Sequence, residues 1–183
     1  MDSTSNTPQM DAGNAPITNF SHCHEGILRH LTAMEDLPAL AEAAERARQV
    51  AESTRNFFRD VIANHHEEEE RVLFEAVLAS AEPGEELAQV KSVTDRLTLE
   101  HRQVEALWAK LEPQLKKMAK GQPVAIDPVA LQQLVAQYQA HAAFEESLFL
   151  PLSETILSRN SNHMAALGLS LHVRHIKQQP SPT

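Results

Sequence analysis

The sequence predicts an all-α protein: an antiparallel up-down four-helix bundle with a short C-terminal helix. Three observations lead there. Ala, Leu, Glu and Gln are plentiful while only five glycines occur, a composition that favours helix over sheet because these side chains lose little freedom in a helix. Apolar residues recur at spacings of three and four through four long segments. Short breaks rich in Pro and Gly separate those segments, and short connections make sequential helices antiparallel neighbours.

Taken in order, residues 1–18 are rich in Ser, Thr, Asn and Pro and read as a flexible tail. A first helix is predicted from Asn19 to Asp36 on the stripe Phe20, Ile27, Leu28, Leu31 and Met34, ending at Leu37-Pro38 because the residue before proline disfavours helix. The second runs from Pro38 to Ser80 with Phe58, Val61, Ile62, Val72, Leu73 and Ala76 facing inward, and Glu82-Pro83-Gly84 closes it. The third covers Glu85 to Lys120 on Val90, Leu97, Val104, Trp108 and Leu111, with Pro113 expected to kink it or stop it early. Gly121 stands where a C-terminal cap belongs. Asp127-Pro128 reads as an N-cap with proline at the first helical position. The fourth helix follows to Leu157 through Leu131, Leu134, Tyr138, Leu148 and Leu152. A shorter amphipathic segment spans His163 to Ile176, so the helical domain is expected over residues 19–176, with 177–183 a second tail.

Composition also excludes classes of function. A formal charge of −9 without a Lys/Arg cluster argues against a nucleic-acid partner. No apolar run approaches the roughly 20 residues that span a membrane, and the opening MDSTSNTPQMDAGNAP has no apolar core of a signal peptide. The single Cys23 forms no internal disulfide and is expected to be an inert thiol. A cytoplasmic protein is expected.

The chemistry lies in histidines that stand where apolar residues belong. His24 is three residues before Ile27; His65 is seven after Phe58 and three after Ile62. His101 is four after Leu97 and three before Val104; His141 is seven after Leu134 and three after Tyr138. Two of them begin His-x-x-x-Glu, pairing His65 with Glu69 and His141 with Glu145. Residues four apart share one helix face, so each pair can aim an imidazole and a carboxylate at one point. A buried polar group without a partner is costly. One inward His on each of four helices therefore calls for something to bind. Taken singly, a core histidine or a solvated Glu67–Glu70 run would be unremarkable; their convergence is not.

Four imidazoles and two carboxylates suit iron, manganese or zinc, whereas magnesium and calcium prefer all-oxygen sites. Structural zinc favours cysteines, of which there is one. Six donors exceed one tetrahedral ion but fit two ions bridged by two carboxylates. No Glu lies three residues before a His, which argues against the Glu-x-x-His di-iron bundles.

With His24, His65-His66-Glu67-Glu68-Glu69-Glu70 before Leu73-Phe74, Glu100-His101, and His141 with Glu145-Glu146 before Phe149-Leu150-Pro151, residues 20–157 resemble the hemerythrin family, the HHE cation-binding domain. The resemblance implies a bridged di-iron centre in which His24, His65, His101 and His141 are terminal ligands and Glu69 and Glu145 bridge two Fe ions. His22, before the apolar stripe, and His30, on its edge, are rivals to His24; His66 is expected to face a neighbouring helix or solvent. Tyr138 would serve as a core residue or as a donor to a bound ligand. Oxygen-carrying members have His-x-x-x-His on the third helix, where this chain has His101 and Glu105. That difference brings the chain nearer to bacterial di-iron proteins linked with nitric-oxide stress and iron–sulfur cluster repair, and leaves Glu105 as a candidate seventh ligand. Three functions follow as expectations: a protein that binds oxygen, nitric oxide or a related small ligand for sensing, scavenging or storage; a di-iron enzyme acting on oxygen or peroxide, or an iron donor in repair; or a bundle whose metal only stabilises the fold.

Overall fold

The computed structural model describes residues 16–159, with side chains from residue 22 onward. The expected segment from His163 to Ile176 and the tail 177–183 lie outside the described residues, as do residues 1–15 of the expected N-terminal tail. The described residues are helical and contain no strand. No helix among them is long and apolar enough to cross a membrane.

The chain divides into two compact units, residues 1–46 and 47–183. The first contains α1 (Pro16–Met34) and the beginning of α2 (Leu37–Phe57). Helix α1 begins three residues before the expected Asn19 and ends ahead of Leu37-Pro38 as expected. Its stripe Ile27, Leu28, Leu31 and Met34 is exposed, and so are His24 and the free Cys23.

In the second unit the helix continues from α2 through a π turn (Phe58–Ile62), α3 (Ala63–Glu68), a second π turn (Glu69–Phe74) and α4 (Glu75–Ser80). The residues at these joints are all right-handed helical, so the run to Ser80 is unbroken. After a turn at Gly84, whose φ of 115° needs a residue without Cβ, α5 (Glu85–Ala119) runs as one α-helix. It continues through Pro113 to Ala119, so the early stop expected there does not occur. Contacts on both sides of the lost backbone bond hold that last turn: Arg55 donates to Glu112 at 2.9 and 2.7 Å, and the Gln114 side chain accepts from the Asp127 N–H at 2.8 Å. Gly121, at φ 67°, then caps the helix, its N–H bonding Met118 O while Gln122 N–H bonds Lys117 O.

The Asp127 carboxylate accepts from Val129 and Ala130 N–H at 2.9 and 3.1 Å and starts α6 (Pro128–Phe144). A third π turn (Glu145–Phe149) leads into α7 (Leu150–Leu157). Helix α5 packs along α6, and α4 packs against α5 and α7. Two apolar clusters result. One joins Phe74, Val77, Val90, Leu97, Phe149 and Ile156; the other joins Val104, Leu111, Ala130 and Leu134. Leu97 and Val104 belong to different clusters, and His101 sits between them on the same helix face, so a polar site is held between two apolar plugs.

The buried stripe of α5 is the expected one: Val90, Leu97, Val104 and Leu111 are each fully buried, with Trp108 half-buried. Beyond the π turns the stripe is displaced by one residue. Phe74 and Val77 are buried in place of Leu73 and Ala76, and Phe149 and Ser153 in place of Leu148 and Leu152. The cause is the wider turn: Ala63 N–H bonds Phe58 O and Leu150 N–H bonds Glu145 O, five residues back. Each such turn holds one extra residue and sets the following helix back by about 100°, the angle of one residue.

Candidate metal centre

The same displacement decides which histidine is buried on α3. The run Phe58, Ile62, His65 follows the α period, but the π turn at Phe58–Ile62 brings His66 inward instead. His66 is 1% exposed, while 45% of the His65 side chain is exposed. His66 was expected to face a neighbouring helix or solvent; it lies in the core with its ring stacked on His101, centroids 3.9 Å apart.

Two donor groups adjoin. In the first, His66, His101 and His141 bring nitrogens within 4.8 Å of one another; in the second, His65, Glu69 and Glu145 do the same with a nitrogen and carboxylate oxygens. The two carboxylates stand between the groups. Glu69 Oε1 is 3.1 Å from His65 Nε2 and its Oε2 3.3 Å from His101 Nε2. Glu145 Oε2 is 4.0 Å from His141 Nε2. The structure thus brings together five of the six residues chosen from the sequence and adds His66. His24 belongs to neither group and is exposed on α1.

Five buried atoms here have no hydrogen-bond partner: both ring nitrogens of His66, the Nε2 of His101 and of His141, and Glu69 Oε2. Leaving such groups unpaired costs roughly 1–3 kcal/mol each. A cation would account for four of them, since Nε2 of His101 and of His141, Glu69 Oε2 and one nitrogen of the neutral His66 ring can each offer a lone pair; the other His66 nitrogen carries the ring's proton. The mixed nitrogen and oxygen donor set suits a divalent transition metal.

Charge in the metal-free site follows from burial and neighbours. Burial, with His101 beside it, pushes His66 down to about 3, so its imidazole is neutral. Burial also works against charge on His101, but the Glu69 and Glu70 carboxylates outweigh it and raise this group. Burial and the adjacent Glu69 push Glu145 up to about 9. Burial would raise Glu69 as well, yet the His101 and Glu145 side chains beside it hold it below the usual range. The two carboxyl groups therefore share a proton, which stays on Glu145.

Sequence reasoning passed over two further carboxylates. Glu70 meets His101 Nδ1 at 2.8 Å and Glu100 meets His141 Nδ1 at 3.1 Å. Both are adjacent to chosen residues, but the contacts cross between helices, which spacing along one helix cannot reveal. Glu105, the possible seventh ligand, is 45% exposed and accepts from Arg102 at 2.6 Å, with 3.9 Å between its Oε1 and His66 Nδ1.

Fold and site together define a helical protein whose core gathers His and Glu side chains that could hold a metal cation. Residues 15–153 match the Hemerythrin HHE cation binding domain, and the chain belongs to that family. It is similar to an uncharacterized protein of Haemophilus influenzae, 27% identical over 165 residues that cover 86% of this chain and 92% of that one. No solved structure matches.

Proposed function

We propose that the chain is a cytoplasmic non-haem di-iron protein that binds oxygen, nitric oxide or a related small ligand for sensing, scavenging or storage. One observation carries the reading: two adjoining donor groups, with Glu69 and Glu145 between them, in which buried atoms of His66, His101, His141 and Glu69 lack hydrogen-bond partners. His66, His101 and His141 would hold one ion, His65 the other, and the two glutamates would bridge. Bound iron would supply the change of oxidation state by which a small ligand is held. The protein's own part is to fix donor directions and exclude water, and the apolar clusters on either side serve that end.

A cavity of about 250 Å³ supports a small ligand. Phe58, Ile62, Val104 and Trp108 line it, His66 is at its wall, and the Phe58 and Trp108 rings stack with centroids 3.9 Å apart. The guanidinium groups of Arg55 and Arg59 on its rim are already paired with Glu112 and Asp60, so an uncharged molecule suits it better than an anion.

In this reading α1 is the fourth helix of an antiparallel bundle and His24 its ligand. The exposed stripe Ile27, Leu28, Leu31 and Met34 calls for a partner face.

A second reading, as a di-iron enzyme or iron donor in nitrosative or oxidative stress and iron–sulfur cluster repair, is favoured by one feature. Helix α5 offers only His101 to the donor groups, and Glu105, one turn on, is turned toward Arg102. Optical spectra of iron-loaded protein before and after oxygen, nitric oxide, azide and peroxide separate the two. Reversible, stoichiometric spectral change with oxygen or nitric oxide is expected. Multiple turnovers of peroxide would favour the enzyme, and no change with any of the four would sink both.

A further inference from the structure

Each carboxylate behind the site uses one oxygen inward and the other outward. Glu70 Oε1 accepts from His101 Nδ1 at 2.8 Å, while its Oε2 accepts from Arg102 at 2.5 Å. Glu100 Oε2 accepts from His141 Nδ1 at 3.1 Å, while its Oε1 accepts from Arg96 at 2.7 Å. Two parallel chains result, Arg102–Glu70–His101 and Arg96–Glu100–His141, each running from a half-exposed guanidinium to an imidazole in the core. They step between helices. The residue after Glu69 reaches across to α5, and the residue before His101 reaches across to α6.

The tautomer follows. A ring that donates from Nδ1 presents the lone pair of Nε2 on its other side, and those two Nε2 atoms are the ones left without partners. Each ring thus turns one nitrogen to a carboxylate behind it and the other toward Glu69 or Glu145 in the site. His66 contrasts with both: its two nitrogens lack any partner, and the nearest outer carboxylate, Glu105, is too far to hold it.

We infer that Glu70 and Glu100 are positioning residues of the metal centre, fixing His101 and His141 as Nε2 donors and increasing their electron donation, with Arg102 and Arg96 anchoring the carboxylates from the surface. The inference rests on the metal-centre reading above. A carboxylate behind a ligating imidazole makes it a more basic donor, and losing such a partner commonly weakens metal binding 10- to 100-fold. More electron-rich imidazoles also favour the more oxidised ion, so the chains lower the reduction potential of bound iron.

The test uses the full chain, stripped of metal by chelation and titrated anaerobically with Fe(II), as wild type, Glu70→Gln and Glu100→Gln. Gln keeps the side chain's size and removes its charge. Both variants are expected to bind Fe(II) roughly 10- to 100-fold more weakly and to show a more positive midpoint potential, with the metal-free melting temperature near wild type. Unchanged affinity and potential in both variants would overturn the inference while leaving the metal centre standing. Failure of the wild type itself to bind Fe(II) would overturn the metal-centre reading and this inference with it. Should either Gln variant not fold, Arg96→Gln and Arg102→Gln at the exposed ends carry the same test. They are expected to move the potential in the same direction by a smaller amount, and an unmoved potential in both would also overturn the inference.

Discussion

Helix α5 and the helical run from α2 to α4 share the same kinds of residue and pack against each other, yet the α period describes only one of them. On α5 the buried positions Val90, Leu97, Val104 and Leu111 fall every seven residues over the length of the helix. On the run ending at Ser80, two π turns intervene, and the buried residues Phe74 and Val77 stand one place later than the period requires. Hydrophobic spacing locates a core face only while the helix keeps 3.6 residues per turn. Helix interruptions of this kind are often found at functional sites, and here the second and third begin at Glu69 and Glu145 themselves.

The largest expected effect tests that displacement directly. Phe74 is 3% exposed and Val72 40% exposed, although the α period places Val72 inside. Phe74→Ala should cost about 3–5 kcal/mol by loss of apolar burial and the cavity left behind, whereas Val72→Ala should fall within about 0.5 kcal/mol. Chemical denaturation of both variants measures the difference. Equal losses would place the stripe back on the α register.

Metal content sharpens the same comparison at the site. His66→Ala removes one of three nitrogens in its group and should lower iron content by about one ion per chain, more than His65→Ala does. The reverse order, read by elemental analysis, would make His65 the inward residue.

Two buried groups of the site, His66 and Glu145, set a pH dependence for the metal-free protein. His66, on the interrupted helix, is held down to about 3 by burial; its contribution is complete above its ordinary 6.5 and is lost as pH falls from there toward 3. Glu145 is pushed up to about 9, so its contribution is complete below its ordinary 4.5 and is lost as pH rises toward 9. Melting of the metal-free protein should therefore be highest between these limits and fall on both sides. Metal binding near pH 7 should release the proton of Glu145, about one per chain. Calorimetry in buffers of different ionisation enthalpy reads that number, and no release would mean that Glu145 enters the site already ionised.

Most of the helices could be read before the structure because their signals are local. Gly121 after α5, Asp127-Pro128 before α6 and Leu37-Pro38 after α1 each act through their own backbone. His65, Glu69, His101, His141 and Glu145 stood out because a polar residue in an apolar stripe is conspicuous at any register near the true one. His66 did not, since its burial depends on a π turn four residues upstream that leaves no mark in composition. Glu70 and Glu100 were hidden for a different reason: each acts on a histidine of another helix, 31 and 41 positions away. Passage of α5 through Pro113 likewise depends on partners supplied by Arg55 and Asp127.

The smallest expected effect concerns Glu105, on the exposed side of the uniform helix and held by Arg102. Glu105→Ala should leave iron content unchanged, as measured by elemental analysis; loss of an ion would make it a ligand after all.

The number of metal ions per chain tests the central claim most directly. Full-length protein loaded anaerobically with excess Fe(II) and desalted should retain about two irons per chain by elemental analysis, and lose both together in Glu69→Ala. A reproducible single ion, or two ions retained in Glu69→Ala, would contradict a centre bridged by that carboxylate.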